Sequence, residues 1–159
     1  MKKLLTAALL LSFTAVPSFA ARYATVKVTE ANIRSCAGAS CSVKWKAWKY
    51  TPLDMRSVSK DKQWVQVKDF EGHTGWIYYT SLSTDMGLSA TVDLNVRKTA
   101  SSKGELACTV EKGYAFKYLG KKSNGWYQVQ DDPANKSEGV CTGWVYGANL
   151  WGPRVKAAK

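Results

Sequence analysis

The chain has 159 residues, of which 45% are hydrophobic and 22% charged, and its formal net charge at pH 7 is +11. From this length we expect two small domains and no separate catalytic domain beside them. The positive charge predicts attraction to anionic partners, and that attraction should weaken as the salt concentration rises.

The first twenty residues have the pattern of a secretory signal peptide. Lys2 and Lys3 precede an apolar segment from Leu4 to Val16, and Ser18 and Ala20 place small residues at the two positions that a signal peptidase reads. A retained membrane anchor is the alternative, but the apolar segment is too short to span a bilayer comfortably. We therefore predict cleavage after Ala20, no transmembrane span, and a periplasmic or secreted protein.

The exported part keeps a net charge of +9, because the leader carries two lysines and no acidic residue. Outside the cytoplasm this charge meets few nucleic acids. It does meet anionic surfaces, such as phospholipid headgroups, teichoic acid or lipopolysaccharide, and the carboxylates of peptidoglycan stems. We predict electrostatic contact with such surfaces and no nucleic-acid partner.

Three short motifs occur twice, in the same order, about 62 to 68 residues apart. A repeat of this length indicates two small domains of one fold. We assign residues 21–84 to domain 1, residues 85–152 to domain 2, and residues 153–159 to a basic tail. The matched motifs are Asn32-Ile33-Arg34 with Asn95-Val96-Arg97, Trp64-Val65-Gln66-Val67 with Trp126-Tyr127-Gln128-Val129, and Gly75-Trp76-Ile77-Tyr78 with Gly143-Trp144-Val145-Tyr146.

All four cysteines lie in the exported part of the chain, and an even number in an oxidising compartment indicates disulfides. Four cysteines allow three pairings. Because each repeat holds two of them, we predict Cys36–Cys41 and Cys108–Cys141. A zinc site is the alternative, but it would need tighter clustering, and only His73 could add a nitrogen ligand. We predict no metal and no cofactor.

Three aromatic residues between positions 45 and 50 of the first repeat have no aromatic counterpart in the second, and the first of them, Trp45, stands opposite Cys108. Aligning the Asn-(Ile/Val)-Arg motifs places Trp48 opposite Glu111 and Tyr50 opposite Gly113. A position that holds glutamate in one repeat is expected to face solvent in the other. Exposed aromatics among lysines suit stacking on a sugar or peptide, with the lysines meeting carboxylates or phosphates. Packing against the sister domain is the alternative, because the linker is short. The candidate ligand-binding residues here are Trp48, Tyr50, Lys46 and Lys49.

The second repeat predicts short strands separated by turns. Residues 115–119 alternate between apolar and polar, as a half-buried strand does, and Asn124-Gly125 is typical of a hairpin turn. No segment beyond the leader shows a sustained helical period. Strands of this length and spacing build a small barrel or a partly open sandwich. The predicted strands are Leu106–Val110, Ala115–Leu119, Trp126–Gln130 and Gly143–Tyr146.

The second repeat also resembles the bacterial SH3 (SH3b) family, and the first repeat does so more loosely. The first repeat has Tyr50 where the turn glycine would stand, and it lacks Asn-Gly before Trp64. The resemblance covers essentially the whole exported chain. It rests on the Leu-Asn-Val-Arg motif at 94–97, the Lys-Gly turn at 112–113, Asn-Gly-Trp-Tyr at 124–127 and Gly-Trp-Val-Tyr at 143–146.

The resemblance implies an all-β fold of two five-stranded, partly open SH3-like barrels in tandem. Each barrel would carry a long RT-type loop, here Ser35–Ser42 and Lys98–Glu105. It also implies a targeting or ligand-binding role, often toward cell-wall peptide or glycan. The groove of SH3-like folds lies between this loop and the end of the last strands, which adds Tyr78, Tyr79 and Tyr146 to the candidate ligand-binding residues.

Catalytic candidates are scarce. His73 is the sole histidine and stands in a turn-rich loop, and the cysteines that could act with it are all expected to be paired. Asp131, Asp132 and Glu138 could hold calcium, but Asp-Asp-Pro is more typical of a turn. We therefore expect a non-catalytic exported binding module that recognises peptidoglycan peptide or glycan. The alternative is a protein–protein interaction or inhibitor module that docks onto an envelope or secreted protein.

Overall fold

The computed structural model describes residues 23–133 and 140–153. The predicted signal peptide, Glu138 and the tail beyond Pro153 lie outside these residues. The described residues form fourteen strands and two 3-10 helices, arranged as two antiparallel sheets. None of the helices found within these ranges is long and apolar enough to cross a membrane.

The first sheet, which we call module 1, spans residues 23–83. Its seven strands have the spatial order β3-β2-β6-β5-β4-β1-β7, and a 3-10 helix at Tyr79–Ser81 precedes the last strand. The sheet curls into a partly open barrel. Its strands are β1 (Tyr23–Val26), β2 (Glu30–Arg34), β3 (Val43–Trp48), β4 (Pro52–Val58), β5 (Trp64–Lys68), β6 (Thr74–Tyr78) and β7 (Leu82–Ser83).

Module 2 spans residues 87–151 and repeats this topology. Its strand order is β10-β9-β13-β12-β11-β8-β14, and a 3-10 helix at Gly147–Asn149 takes the corresponding place before the last strand. Residues 84–86 link the two modules. The strands are β8 (Gly87–Ala90), β9 (Leu94–Arg97), β10 (Leu106–Val110), β11 (Ala115–Ser123), β12 (Trp126–Gln130), β13 (Thr142–Tyr146) and β14 (Leu150–Trp151).

The repeated motifs build the core of each module. Val67 and Val129 occupy equivalent positions on β5 and β12 and are fully buried. The Gly-Trp motif needs its glycine because strands approach closely there: a Cβ on Gly75 would lie 2.5 Å from Ile33 Cγ2, and one on Gly143 would overlap the carbonyl oxygen of Arg97. The agreement between the repeats therefore reflects the shared fold.

The structure confirms the all-β fold and the two predicted disulfides, Cys36–Cys41 and Cys108–Cys141. The strand count differs from the resemblance, because seven strands rather than five form each sheet. The two-residue strands β7 and β14, which pair with β1 and β8, are among them. Strand β11 also runs four residues beyond the predicted end at Leu119, because the hairpin continues past a register shift to its turn.

The turns of the two modules are built differently. In module 2, Asn124 and Gly125 have φ values of 45° and 83°, which confirms the Asn-Gly hairpin turn. At the corresponding turn of module 1, Lys62 takes the positive φ of 59°. There Asp61 Oδ1 accepts hydrogen bonds from Ser59 Oγ at 2.5 Å and from the Gln63 amide at 3.1 Å. Side-chain hydrogen bonds thus replace the conformational freedom of glycine.

Candidate ligand-binding site

Trp48 is the last residue of β3 and is 54% exposed. Ala47 is 3% exposed on the inward face of the same strand, so the alternation of the strand turns Trp48 outward. Across the strand pair Trp48 lies opposite Glu30. The exposure agrees with the expectation drawn from its alignment with Glu111.

Tyr50 is not the exposed aromatic that the alignment suggested. It is half-buried, and its φ is 69°, in the left-handed region where Gly113 of module 2 has 89°. Its carbonyl oxygen packs so closely on Gly87 that a Cβ at residue 87 would overlap it. Lys49 Nζ stands 5.2 Å from the centroid of the Tyr50 ring. The tight turn at this junction packs Tyr50 against the rest of the protein, so its side chain is only partly exposed.

Two clefts flank Trp48, and residues of both modules line each of them. The first has a volume of about 340 Å³ and the second about 360 Å³. Trp48 of module 1 and Tyr114 of module 2 border both clefts. Thr29, Lys49, Asp131 and Asp132 further line the first cleft, and Trp45, Lys46, Phe70, Glu111 and Lys112 further line the second.

The lysines next to Trp48 pair with carboxylates of the protein itself. Lys46 Nζ lies 2.7 Å from Glu30 Oε1, and Lys49 Nζ lies 3.1 Å from Asp132 Oδ1. The hydrogen bond to Asp132 raises the pKa of Lys49 above its ordinary value, against a smaller lowering by burial. From the sequence, we expected these lysines to meet carboxylates or phosphates of a ligand. In the structure Lys46 pairs with a residue of its own module, and Lys49 pairs with a residue of module 2.

The ion pair of Lys49 belongs to a set of contacts that joins the modules. Lys112 Nζ lies 2.5 Å from Glu71 Oε1 and 5.8 Å from the centroid of the Phe70 ring. The amide of Gly87 donates a hydrogen bond to Thr25 Oγ1 at 3.1 Å. The rings of Tyr23 and Trp151 meet at a centroid distance of 5.4 Å. The elements that line the two clefts are thus joined by contacts between the two modules.

The three predicted tyrosines divide between the modules. Tyr78 and Tyr79 neighbour each other in module 1, with ring centroids 5.5 Å apart, and Tyr146 takes the place of Tyr78 in module 2. Each of the equivalent tyrosines packs on the tryptophan that begins a strand: Tyr78 on Trp64 at 5.4 Å, and Tyr146 on Trp126 at 5.6 Å. All three tyrosines are exposed.

A groove of about 450 Å³ lies along module 2, between its RT-type loop and its 3-10 helix at Gly147–Asn149. Of the residues around this groove, only Tyr146 was among the predicted ligand-binding residues, and Trp126 was noted only as part of a repeated motif. The position of the groove next to the RT-type loop was the signal that could have identified the others. The residues that the prediction missed here are Asp93, Asn95, Arg97, Trp126 and Asn149.

One group of possible metal ligands lies among the described residues on a loop of module 1. Asp69, Glu71 and His73 each place one ligand atom within 4.8 Å of the others. These side chains already have partners: His73 Nδ1 lies 3.0 Å from Asp69 Oδ2, and Glu71 pairs with Lys112. The calcium alternative involved Asp131 and Asp132, which are 4% and 5% exposed, and Glu138, which lies outside the described residues.

Comparison with known proteins identifies both halves of the chain. Two family models, each described as a bacterial SH3 domain, match residues 27–84 and residues 92–150. A search of curated proteins found no match.

Among solved structures, the chain is similar to NlpC2 from Trichomonas vaginalis, with 10% identity and a TM-score of 0.35, over 82% of this chain and 47% of that one. It is also similar to an NlpC/P60 endopeptidase from Photobacterium damselae subsp. piscicida, with 16% identity and a TM-score of 0.36, over 81% of this chain and 32% of that one. The chain therefore spans less than half the length of these structures.

Proposed function

The chain belongs to the bacterial SH3 domain family, with two such domains in tandem, and we propose that it is an exported, non-catalytic protein that binds cell-wall material. Bacterial SH3 domains are cell-wall binding modules. The observation that carries the proposal for this chain is Trp48, a tryptophan that is 54% exposed and borders two clefts. A large exposed indole in a concave surface is typical of a binding site.

Two further observations support export and a role without catalysis. All four cysteines form disulfides, which persist in oxidising compartments, and this pairing leaves no thiolate to act as a nucleophile. His73 is 62% exposed on its loop, where Asp69 holds its ring. We retain the proposal that cleavage follows Ala20, and that the domain boundary lies between residues 84 and 85.

Retention on purified peptidoglycan sacculi tests the proposed function. We expect the purified protein to sediment with sacculi and to release no soluble fragments from dye-labelled sacculi. A cationic protein of similar size and charge without an SH3 fold controls for electrostatic adsorption, and the comparison should be repeated at high salt. Trp48→Ala should be retained less than Val58→Ala, which removes an exposed apolar side chain outside both clefts.

Retention no greater than that of the cationic control would overturn the proposal. If the protein then captured one envelope protein from a detergent extract and did so through Trp48, the chain would be a protein-docking module instead. Release of soluble fragments by the purified protein would show that the chain is an enzyme.

A further inference from the structure

The opening around Trp48 is a composite of both modules. Trp48 comes from β3 of module 1, and Tyr114, which borders the same two clefts, comes from the segment before β11 of module 2. Lys49–Asp132 and Lys112–Glu71 fasten the modules on either side. The site therefore exists only while the modules are packed together.

The charge of this opening is balanced, although the whole chain is strongly basic. Each lysine that borders the clefts in the described part of the chain is paired with a carboxylate, at 2.7 Å for Lys46, 3.1 Å for Lys49 and 2.5 Å for Lys112. Four acidic side chains line the clefts, and one of them is the partner of Lys49, so no excess of positive charge is left there. These acidic residues are Asp69, Glu111, Asp131 and Asp132.

An anionic polymer would bind weakly to such a surface. It would either compete with existing ion pairs for the lysines or approach carboxylates of its own sign. A neutral ligand meets neither penalty. The side chains that remain at the rim, among them Thr29 and Thr51, have hydroxyl groups that can donate and accept hydrogen bonds.

We propose that the junction opening binds a neutral saccharide, with a sugar ring stacked on the exposed indole of Trp48 and the Tyr114 wall beside it. This inference rests on the proposed cell-wall binding and names the glycan, rather than the charged peptide or an anionic polymer, as the part that is recognised. The apolar face of a sugar ring covers the indole, and its hydroxyl and amide groups face the polar rim. Each cleft also has the volume of a small-molecule site, about 300 to 1,000 Å³.

Titration with chitotetraose, a neutral oligomer of N-acetylglucosamine, tests the inference through the heat of binding measured by calorimetry. We expect saturable binding whose affinity stays within about twofold between about 50 mM and about 500 mM salt, because no ionic contact is screened. Trp48→Ala should weaken binding about tenfold or more. Val58→Ala, the matched exposed control, should leave it unchanged.

Two further variants test the charge and the junction. Glu111→Lys reverses a charge at the rim, and chitotetraose binding by this variant should remain insensitive to salt, because the ligand carries no charge. Gly87→Ala places a Cβ against the carbonyl oxygen of Tyr50 and should weaken binding by separating the modules. Hydrogen exchange at the Val67 and Val129 amides, in the two cores, shows whether both modules stay folded in that variant.

The outcomes separate this inference from the proposed function. The protein could be retained on sacculi without binding chitotetraose, and it could bind a stem peptide or teichoic acid in a salt-sensitive way that Glu111→Lys strengthens. These results together would overturn the saccharide site and leave the proposed cell-wall binding in place. Equal chitotetraose affinity for the wild type and Trp48→Ala would also overturn it. Binding of chitotetraose through Trp48 without retention on sacculi would instead overturn the proposed function.

Discussion

The indole of Trp45 packs against the imidazole of His73, with ring centroids 6.2 Å apart and planes inclined at 56°. These are the positions that Cys108 and Cys141 occupy in module 2. Trp45 pairs with Ile33 across the strands as Cys108 pairs with Val96. The carbonyl of His73 accepts the amide of Asp69 at 3.1 Å, as that of Cys141 accepts the amide of Asp131 at 2.9 Å. In module 1 the contact between these two rings thus takes the place of the disulfide that joins the equivalent positions of module 2.

This equivalence predicts that the double variant Trp45→Cys, His73→Cys will form a third disulfide. The new bridge would close a loop of 28 residues, so the oxidised variant should be more stable than its reduced form by about 3.6 kcal/mol. Intact mass and thiol titration would report the bridge. Each single variant serves as a control, because it leaves one cysteine without a partner in its own module. A double variant that keeps two reactive thiols under oxidising conditions would show that the backbones differ here.

The two native disulfides should differ in their effect on stability. Cys108–Cys141 spans 33 residues and Cys36–Cys41 spans 5. Loop-closure entropy then gives a contribution of about 4 kcal/mol for the first and about 2 kcal/mol for the second. We expect replacement of both cysteines by serine to lower protection from hydrogen exchange at Val129 more than the corresponding change lowers it at Val67. Equal losses would contradict this ranking.

The strands, turns and disulfides could be predicted from the sequence, because they depend on local residue patterns and on the repeat. Alternation and turn residues predicted β10 and β12 to the residue, and the assignment of two cysteines to each repeat predicted the disulfides. The partners of Lys49 and Lys112 could not be predicted, because Asp132 and Glu71 lie 83 and 41 residues away and meet them only when the modules dock. The composite clefts depend on the same docking, so the sequence indicated Trp48 and not the site around it.

The left-handed backbone of Tyr50 should make glycine the better of two truncations at this position. Tyr50→Ala and Tyr50→Gly lose the same ring contacts, but alanine keeps the strain of a Cβ at a φ of 69°. We therefore expect Tyr50→Gly to be more stable than Tyr50→Ala by about 1 kcal/mol in urea unfolding.

Gly113→Ala tests the cost of a Cβ at the equivalent left-handed position of module 2. A Cβ there would meet nothing within 4 Å, and the φ is 89°, so the cost is that of the backbone alone, about 1 kcal/mol. A more stable Tyr50→Ala than Tyr50→Gly would show that the turn relaxes out of the left-handed region.

The ion pair between Lys49 and Asp132 should stabilise the junction in a way that depends on pH. The side chains are 31% and 7% exposed, so the pair is partly buried, and a double-mutant cycle with Lys49→Met and Asp132→Asn should give a coupling of about 1–2 kcal/mol at pH 7.

Because folding raises the pKa of Lys49, its contribution is complete below the unfolded value of 10.5 and is lost as the pH rises through the higher folded value. Urea unfolding between neutral and strongly alkaline pH should show the stability of the wild type converging on that of Lys49→Met. A stability difference that stays constant above the pKa of Lys49 would mean that its packing, and not its charge, joins the modules.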